Sequence, residues 1–324
     1  MCELSKGVPW DIFTAHHNDW EKTMEIEKLA EEGAVVGEGP IWNAEEQTLI
    51  WTDIATGRMF SYDPATENNT QIHDGFNVGG FMQNEQGGYI CFIHDGVVLW
   101  KSDDEWQRIH PEEFDGEPLR FNDVIAAPNG GAFAGTYFED KKGKLYYFDR
   151  DGTVTVIEEG IGCSNGMGFS PDLKTMYYTD AAAREIYAYD FDPENSQLSQ
   201  RRLFVKIAPE IGVPDGMTVD ADGYIWSANW FGSCIIRFDP DGTEERRIQT
   251  PARQTSSVIF GGPELDELYF TSADFICQPG TDLDPLGYDW DAYGQSYRGG
   301  GLFRIRGLGI QGKAEFKADF EWPA

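Results

Sequence analysis

The chain has 324 residues, of which 40% are hydrophobic and 14% aromatic, enough apolar surface for a substantial core and too much for global disorder. Asp and Glu number 56 against 25 Lys and Arg, a formal charge of −31 that repels phosphate backbones and anionic lipid. Nucleic acid and a polybasic membrane hold are thereby excluded as partners, and the acidity reads as a well-solvated surface suited to salty surroundings.

The first residues, MCELSKGVPWDIFTAHHNDWEK, contain no apolar signal core. No uncharged apolar stretch approaches the eighteen or so residues that a membrane helix needs. A cytoplasmic soluble protein is expected. Residues 1–22 are read as an N-terminal extension with His16 and His17 on its surface, followed by one domain over residues 23–324. Cysteines at 2, 91, 163, 234 and 277 form no CxxC pair, and their odd number argues against a disulfide framework or a zinc ribbon.

From Glu25 onward the apolar runs are short, rich in aromatic and β-branched residues, and bounded by Asp, Gly, Pro and Asn, which is strand-and-turn chemistry. The runs LIWTD from Leu49, YICFI from Tyr89, AFAGT from Ala132, MYYTD from Met176, YIWSA from Tyr224 and LYFTS from Leu268 recur at intervals of 40 to 48 residues. Each follows a turn-like segment such as NAEEQT or APNGG. Each precedes a second strand: RMFSYDP, VVLWKS, KLYYFDRDG, EIYAYDFDP, CIIRFDPDG and GLFRIRG. Repetition at this period, with several strands per unit, predicts an all-β fold, a six-bladed β-propeller. The ring must close, so EIEKLAEE (Glu25 to Glu32) and KAEFKADF (Lys313 to Phe320) are expected to share a blade. Most aromatic residues of the strands are expected between blades.

Four turn segments carry more polar chemistry than a turn requires: GEGPIW from Gly37, RFND from Arg120, SNGMGFSPD from Ser164 and PDGMTVDADG from Pro214. Asn-Gly and Asp-Gly are common turn dipeptides, but turn chemistry alone does not repeat at equivalent places. Repeat symmetry carries Glu38, Asn122, Asn165 and Asp215 to equivalent heights around the axis. Two carboxylates and two amide carbonyls would then face one point. An oxygen-only set of this charge suits a hard divalent cation such as Ca²⁺, Mg²⁺ or Mn²⁺, with Zn²⁺ less natural in the absence of His or Cys. Four protein ligands are fewer than the roughly six to eight that Ca²⁺ takes, which leaves positions for water or substrate. His73, His94 and His110 are read as surface or packed residues, Cys163 as a small buried one, and Trp230 and Phe231 as a candidate pocket lining. No GxSxG nucleophile elbow is present.

The segments GEGPIWNAEEQTLIWTDI, FNVGGF, RFNDVIAAPNGGAFAGT, SNGMGFSPDLKTMYYTD, PDGMTVDADGYIWSANWFG and FGGPELDELYFTSA resemble the motifs of the SMP-30/gluconolactonase/LRE family, which includes sugar lactonases and related phosphotriesterases of the diisopropylfluorophosphatase type. The resemblance covers roughly Glu25 to Ile305. It implies a metal ion in the central channel, with Glu38, Asn165 and Asp215 as ligands and Asn122 as a fourth ligand or a substrate contact. Ca²⁺ is the first expectation, with Mg²⁺, Mn²⁺, Zn²⁺ and Fe²⁺ also open. Arg120 matches a position that contacts sugar hydroxyls, and a substrate-binding acid is expected at Glu139 or Asp140. The implied reaction is metal-dependent hydrolysis of an aldonolactone, with Asp215 as general base or, in the alternative, as nucleophile. A phosphotriester or non-sugar lactone hydrolase on the same site, and a non-catalytic binding propeller with a structural ion, are the rival readings. The expected partner is a small sugar lactone; the oligomeric state is left open. The long segment 274–298 is expected to be a lid or an interface.

Overall fold

The computed structural model describes residues 23–110, 113–114, 116–275 and 299–321. The expected N-terminal extension and nearly all of the 274–298 segment lie outside these residues. Six four-stranded antiparallel sheets form the ring; five run in chain order from an innermost to an outermost strand, and the sixth takes its outermost strand from the start of the chain. The innermost strands are Gly37–Asn43, Val78–Gln83, Phe121–Ala126, Ser164–Phe169, Val213–Val219 and Gln254–Gly261. The repeated apolar runs are the second strands, and the runs that follow them are the third. Among the described residues no helix is long and apolar enough to cross a membrane.

Alternation of side chains across each sheet explains the near-continuous hydrophobic runs, because both faces of a blade are buried. On Tyr89–Ile93, Ile90 and Phe92 pack towards the third blade while Cys91 and Ile93 pack towards the first. On Ala132–Thr136, Ala132 and Ala134 face the second blade and Phe133 the fourth. One apolar cluster accordingly fills each junction between neighbouring blades.

Closure differs from the expectation at one end. Glu25–Glu31 is the outermost strand of the sixth blade and pairs with Gly301–Arg306, so the first strand does complete the last blade. Lys313 to Phe320, whose alternation suggested a partner strand, joins no sheet. Its one β-bridge to the ring among the described residues is Asn84 to Ala318. Its alternate residues are engaged by the turns at the end of the channel instead.

Phe133 is fully buried and packs at tilted and edge-on angles among Tyr147, Phe169 and Phe191 with ring centroids 5.0, 6.2 and 6.3 Å away. Phe133→Ala should therefore cost about 3–5 kcal/mol of unfolding free energy in urea titrations. The same change at the exposed Trp106 should cost under about 1 kcal/mol.

Candidate metal and substrate site

All six innermost strands break register with their neighbour near the start of the strand: between Glu38 and Ile41, Val78 and Gly80, Phe121 and Val124, Asn165 and Met167, Pro214 and Met217, and Thr255 and Val258. A bulge adds a residue, bends the strand and re-aims its side chains. Six bulges at one level turn a ring of side chains towards the axis. The Asn-Gly and Asp-Gly pairs that look like turns in the sequence are these bulges. Gly166 is needed because inner strands approach closely there: a Cβ would lie 2.5 Å from Met217 N and 2.7 Å from Asp215 O.

Two aspartates at the ends of second strands pin the approach to the bulges. Asp180 accepts the N–H groups of Gly162 and Cys163 at 3.0 Å each, just before Asn165. Asp53 accepts those of Val35 and Val36 at 3.2 and 3.0 Å, just before Glu38, and pairs with Arg58 at 2.9 Å. Burial alone would raise the Asp53 carboxyl, but these bonds and one from Thr56 outweigh it and hold it below its usual range. The terminal Asp of the WTD and YTD repeats is thereby explained.

Glu38, Asn165 and Asp215 are each 5% exposed, and Asn122 is half-buried. Asn122 Nδ2 donates to Ser164 O at 2.7 Å and to Asn165 Oδ1 at 3.3 Å, which ties two of the four together. Asn165 Nδ2 donates to Cys163 Sγ at 3.7 Å. Glu38 accepts the Gly39 N–H at 3.1 Å. Burial, then the charges of Asp215 and Asp123, push the Glu38 carboxyl well up, against the pull of the Gly39 N–H. Burial and Asp123 do the same to Asp215, opposed by a hydrogen bond from Asn165. Asp123, which closes the RFND motif and is not among the residues expected from sequence, is raised by burial to about 7. Its signal was its place one residue beyond Asn122, inside the same bulge.

No Lys or Arg among the described residues pairs with Glu38, Asp123 or Asp215. Nor does any group of three His, Cys, Asp or Glu among the described residues draw together closely enough to hold an ion on its own. What the channel offers is a pair of buried carboxylates with amide oxygens beside them. Uncompensated negative charge and hard oxygen donors fit a divalent cation better than any other small partner.

At the same end of the ring, Arg120 is half-buried with its guanidinium 5.8 Å from the centre of the Tyr137 ring, and Tyr137 N donates to Arg120 O at 3.1 Å. Glu139 and Asp140 are exposed on the following loop; Glu139 is the one whose charge acts on the Tyr137 phenol, which is raised mainly by burial. His94 is half-buried, and its imidazole is depressed by burial and then by the nearby Arg120 charge. It belongs to this rim, a neighbourhood the sequence hid because its partner comes from the next blade. His73 is buried against Asp103 and His110 packs on Phe148 with ring centres 5.1 Å apart. Cys163 is half-buried with its thiol pushed well up by burial and the surrounding carboxylates, an unreactive environment. Trp230 is half-buried and Phe231 is buried, their rings 5.9 Å apart.

The family model for the SMP-30/gluconolactonase/LRE-like region matches residues 36–274, and the chain belongs to that family. It is 38% identical over 297 residues to pentonolactonase XacC of Haloferax volcanii, covering 91% of this chain and 99% of that protein. It is 34% identical over 245 residues to 6-deoxy-6-sulfogluconolactonase of Pseudomonas putida, covering 74% and 84%. Among solved structures, a calcium-binding protein, regucalcin, from Agrobacterium tumefaciens superposes with a TM-score of 0.76 at 25% identity, covering 91% of this chain and 97% of that one.

Ionised Glu38 and Asp215 should destabilise the ion-free protein. A carboxyl whose folded pKa exceeds its unfolded value binds more protons when folded, so stability falls as pH rises above the unfolded value of about 4. The melting temperature of chelator-treated protein should drop between about pH 4 and 8, and less steeply in Asp215→Asn than in the parent. Ca²⁺ should raise the parent at pH 8 more than the variant. Equal pH slopes in the two proteins would show that Asp215 carries no such burden.

Proposed function

We propose that this chain is a lactone-hydrolysing enzyme that opens a sugar lactone, an aldonolactone, to the aldonic acid with one divalent ion in its channel. The observation that carries the reading is the uncompensated pair Glu38 and Asp215, set beside Asn165 and Asn122 at one level of the ring. The pentonolactonase and sulfogluconolactonase relatives support the substrate class. The calcium-binding relative supports the ion, for which Ca²⁺ is the first candidate. The cytoplasm is the proposed place of action.

Glu38, Asn165 and Asp215 would hold the ion, with Asn122 as a fourth ligand or as a contact to substrate. A bound divalent cation supplies Lewis-acid polarisation of the lactone carbonyl. Asp215 takes a proton from the attacking water; the water oxygen bonds to the carbonyl carbon, the ring C–O bond breaks, and the proton passes to the departing ring oxygen. A direct attack by the Asp215 carboxylate is the alternative use of the same atom. The Nδ2 of Asn122 is engaged by Ser164 O and Asn165 Oδ1, so its carbonyl oxygen is the atom it would offer to the ion or to substrate. Arg120 donates to hydroxyls of the ring, and Glu139, the member of the acidic pair nearer Tyr137, accepts from one; Asp140 is the reserve candidate. Aldonolactones are rich in hydroxyls, and a rim of Arg, Asn and Glu suits them better than an apolar ester.

Acid release from pentono- and hexonolactones, followed with a pH indicator, tests this. Metal-stripped protein should be silent, and one or more of Ca²⁺, Mg²⁺, Mn²⁺, Zn²⁺ or Fe²⁺ should restore turnover. Asp215→Asn should lose about 10²–10⁴-fold in kcat, the usual worth of a general base. Glu38→Gln should weaken ion binding and recover in part at high ion concentration. Silence on every lactone with hydrolysis of a phosphotriester would move the substrate assignment. Silence on both, with tight ion binding intact, would make the chain a binding propeller.

A further inference from the structure

After Gly301–Arg306 the chain stays on the ring. Gly307 and Gly309 have φ of 75° and 66°, left-handed values that favour glycine, and they turn the backbone onto the end of the channel opposite Glu38. From there residues 307–320 run across that end without regular structure, yet they are engaged by every blade. Gly312 N donates to Leu265 O at 2.7 Å and Gln311 Nε2 to Glu264 O at 2.8 Å, both on the sixth blade. On the fifth, Ala221 N donates to Gln311 O at 2.9 Å and Thr218 Oγ1 to Glu315 at 3.4 Å. Phe316 packs on Phe169 of the fourth with ring centres 6.1 Å apart. Asp319 N donates to Gly130 O of the third at 2.8 Å. Ala318 N donates to Gln83 O and Glu85 N to Ala318 O on the second, at 2.9 and 2.7 Å, where Asn84 and Phe320 also exchange two bonds at 3.0 and 2.9 Å. Lys317 pairs with Glu45 of the first. Ala318 and Phe320 are buried.

Between this segment and the candidate site lies a cavity of about 80 Å³, lined by Asp123, Met167, Met217, Phe81, Glu315 and Phe316 among others. Its far wall is the crossing segment. A channel through a ring is open at both ends unless something fills one. We infer that residues 307–320 form a strap that seals the channel behind the site, so that bulk water reaches the buried carboxylates from one mouth only. Excluding water from the other side lowers the local dielectric and strengthens the field those carboxylates exert on a bound cation. A segment bonded to five blades and packed on the fourth also ties the ring together, a second closure that does not depend on the Glu25–Glu31 pairing.

Two measurements test the strap on the full chain. Hydrogen exchange on the unaltered protein should show the amides of Gly312, Ala318, Asp319 and Phe320 protected to the level of the sheet strands; exchange at the rate of exposed loops would overturn the proposal. In Phe316→Ala, dilute peroxide should oxidise Met167 and Met217, which line the cavity, at least about tenfold faster than in the parent. Met59, buried between the first two blades in a cluster that Phe316 does not touch, should keep the parent's rate, which separates an opened floor from unfolding. The Ca²⁺ dissociation constant of the variant, read by calorimetry, should rise. Unchanged oxidation of Met167 and Met217 in a folded Phe316→Ala protein would show that the floor does not seal the cavity.

Discussion

Glu38 and Asp215 are nearly shut off from solvent, face the same channel and have no lysine or arginine among the described residues to balance them. An unpaired buried carboxylate is costly, and a second beside it adds repulsion to the loss of hydration. A fold that keeps such a pair must either hold them protonated or receive positive charge from outside. Asn165, linked to Asn122 and bonded to Asp215, brings amide oxygen to the same place, which supports the proposed cation over a protonated pair.

The ring exists to hold those groups in register. Each blade buries both faces, so its strands lock against both neighbours through alternating side chains. The innermost strands all bulge at one level, and that common level lets residues more than a hundred positions apart converge. Asp53 and Asp180 hold the segments that lead into two of the bulges. The strap at the far end completes the enclosure. A change in any of these supports would act on the site without touching it, by moving a carboxylate or admitting water.

Much of this architecture is legible in the sequence, for identifiable reasons. Second and third strands read clearly because burial on both faces makes them continuous apolar runs. Outermost strands such as Asn68–Asp74 and Glu244–Gln249 do not, because they are polar and largely exposed. The repeat brings Glu38, Asn122, Asn165 and Asp215 to one level, but spacing alone cannot say that the following glycines serve bulges rather than turns. Nor can it show that Asp123, adjacent to Asn122 in chain, also turns inward; within a bulge two successive residues can face the same side. Lys313 to Phe320 alternates like a strand because buried Ala318 and Phe320 seat between turns, a demand with the same period and a different cause. His94 is silent in the sequence because Arg120, which gives it context, comes from the next blade.

The central claim is that the two carboxylates await a cation, and anomalous diffraction from crystals soaked in Mn²⁺ addresses it most directly. The account predicts one strong peak on the channel axis, within about 2.6 Å of oxygens from Glu38, Asn165 and Asp215, with coordination positions left open towards the mouth. A clean map with no peak in the channel, or a peak bound elsewhere while Glu38 and Asp215 stay bare, would contradict it.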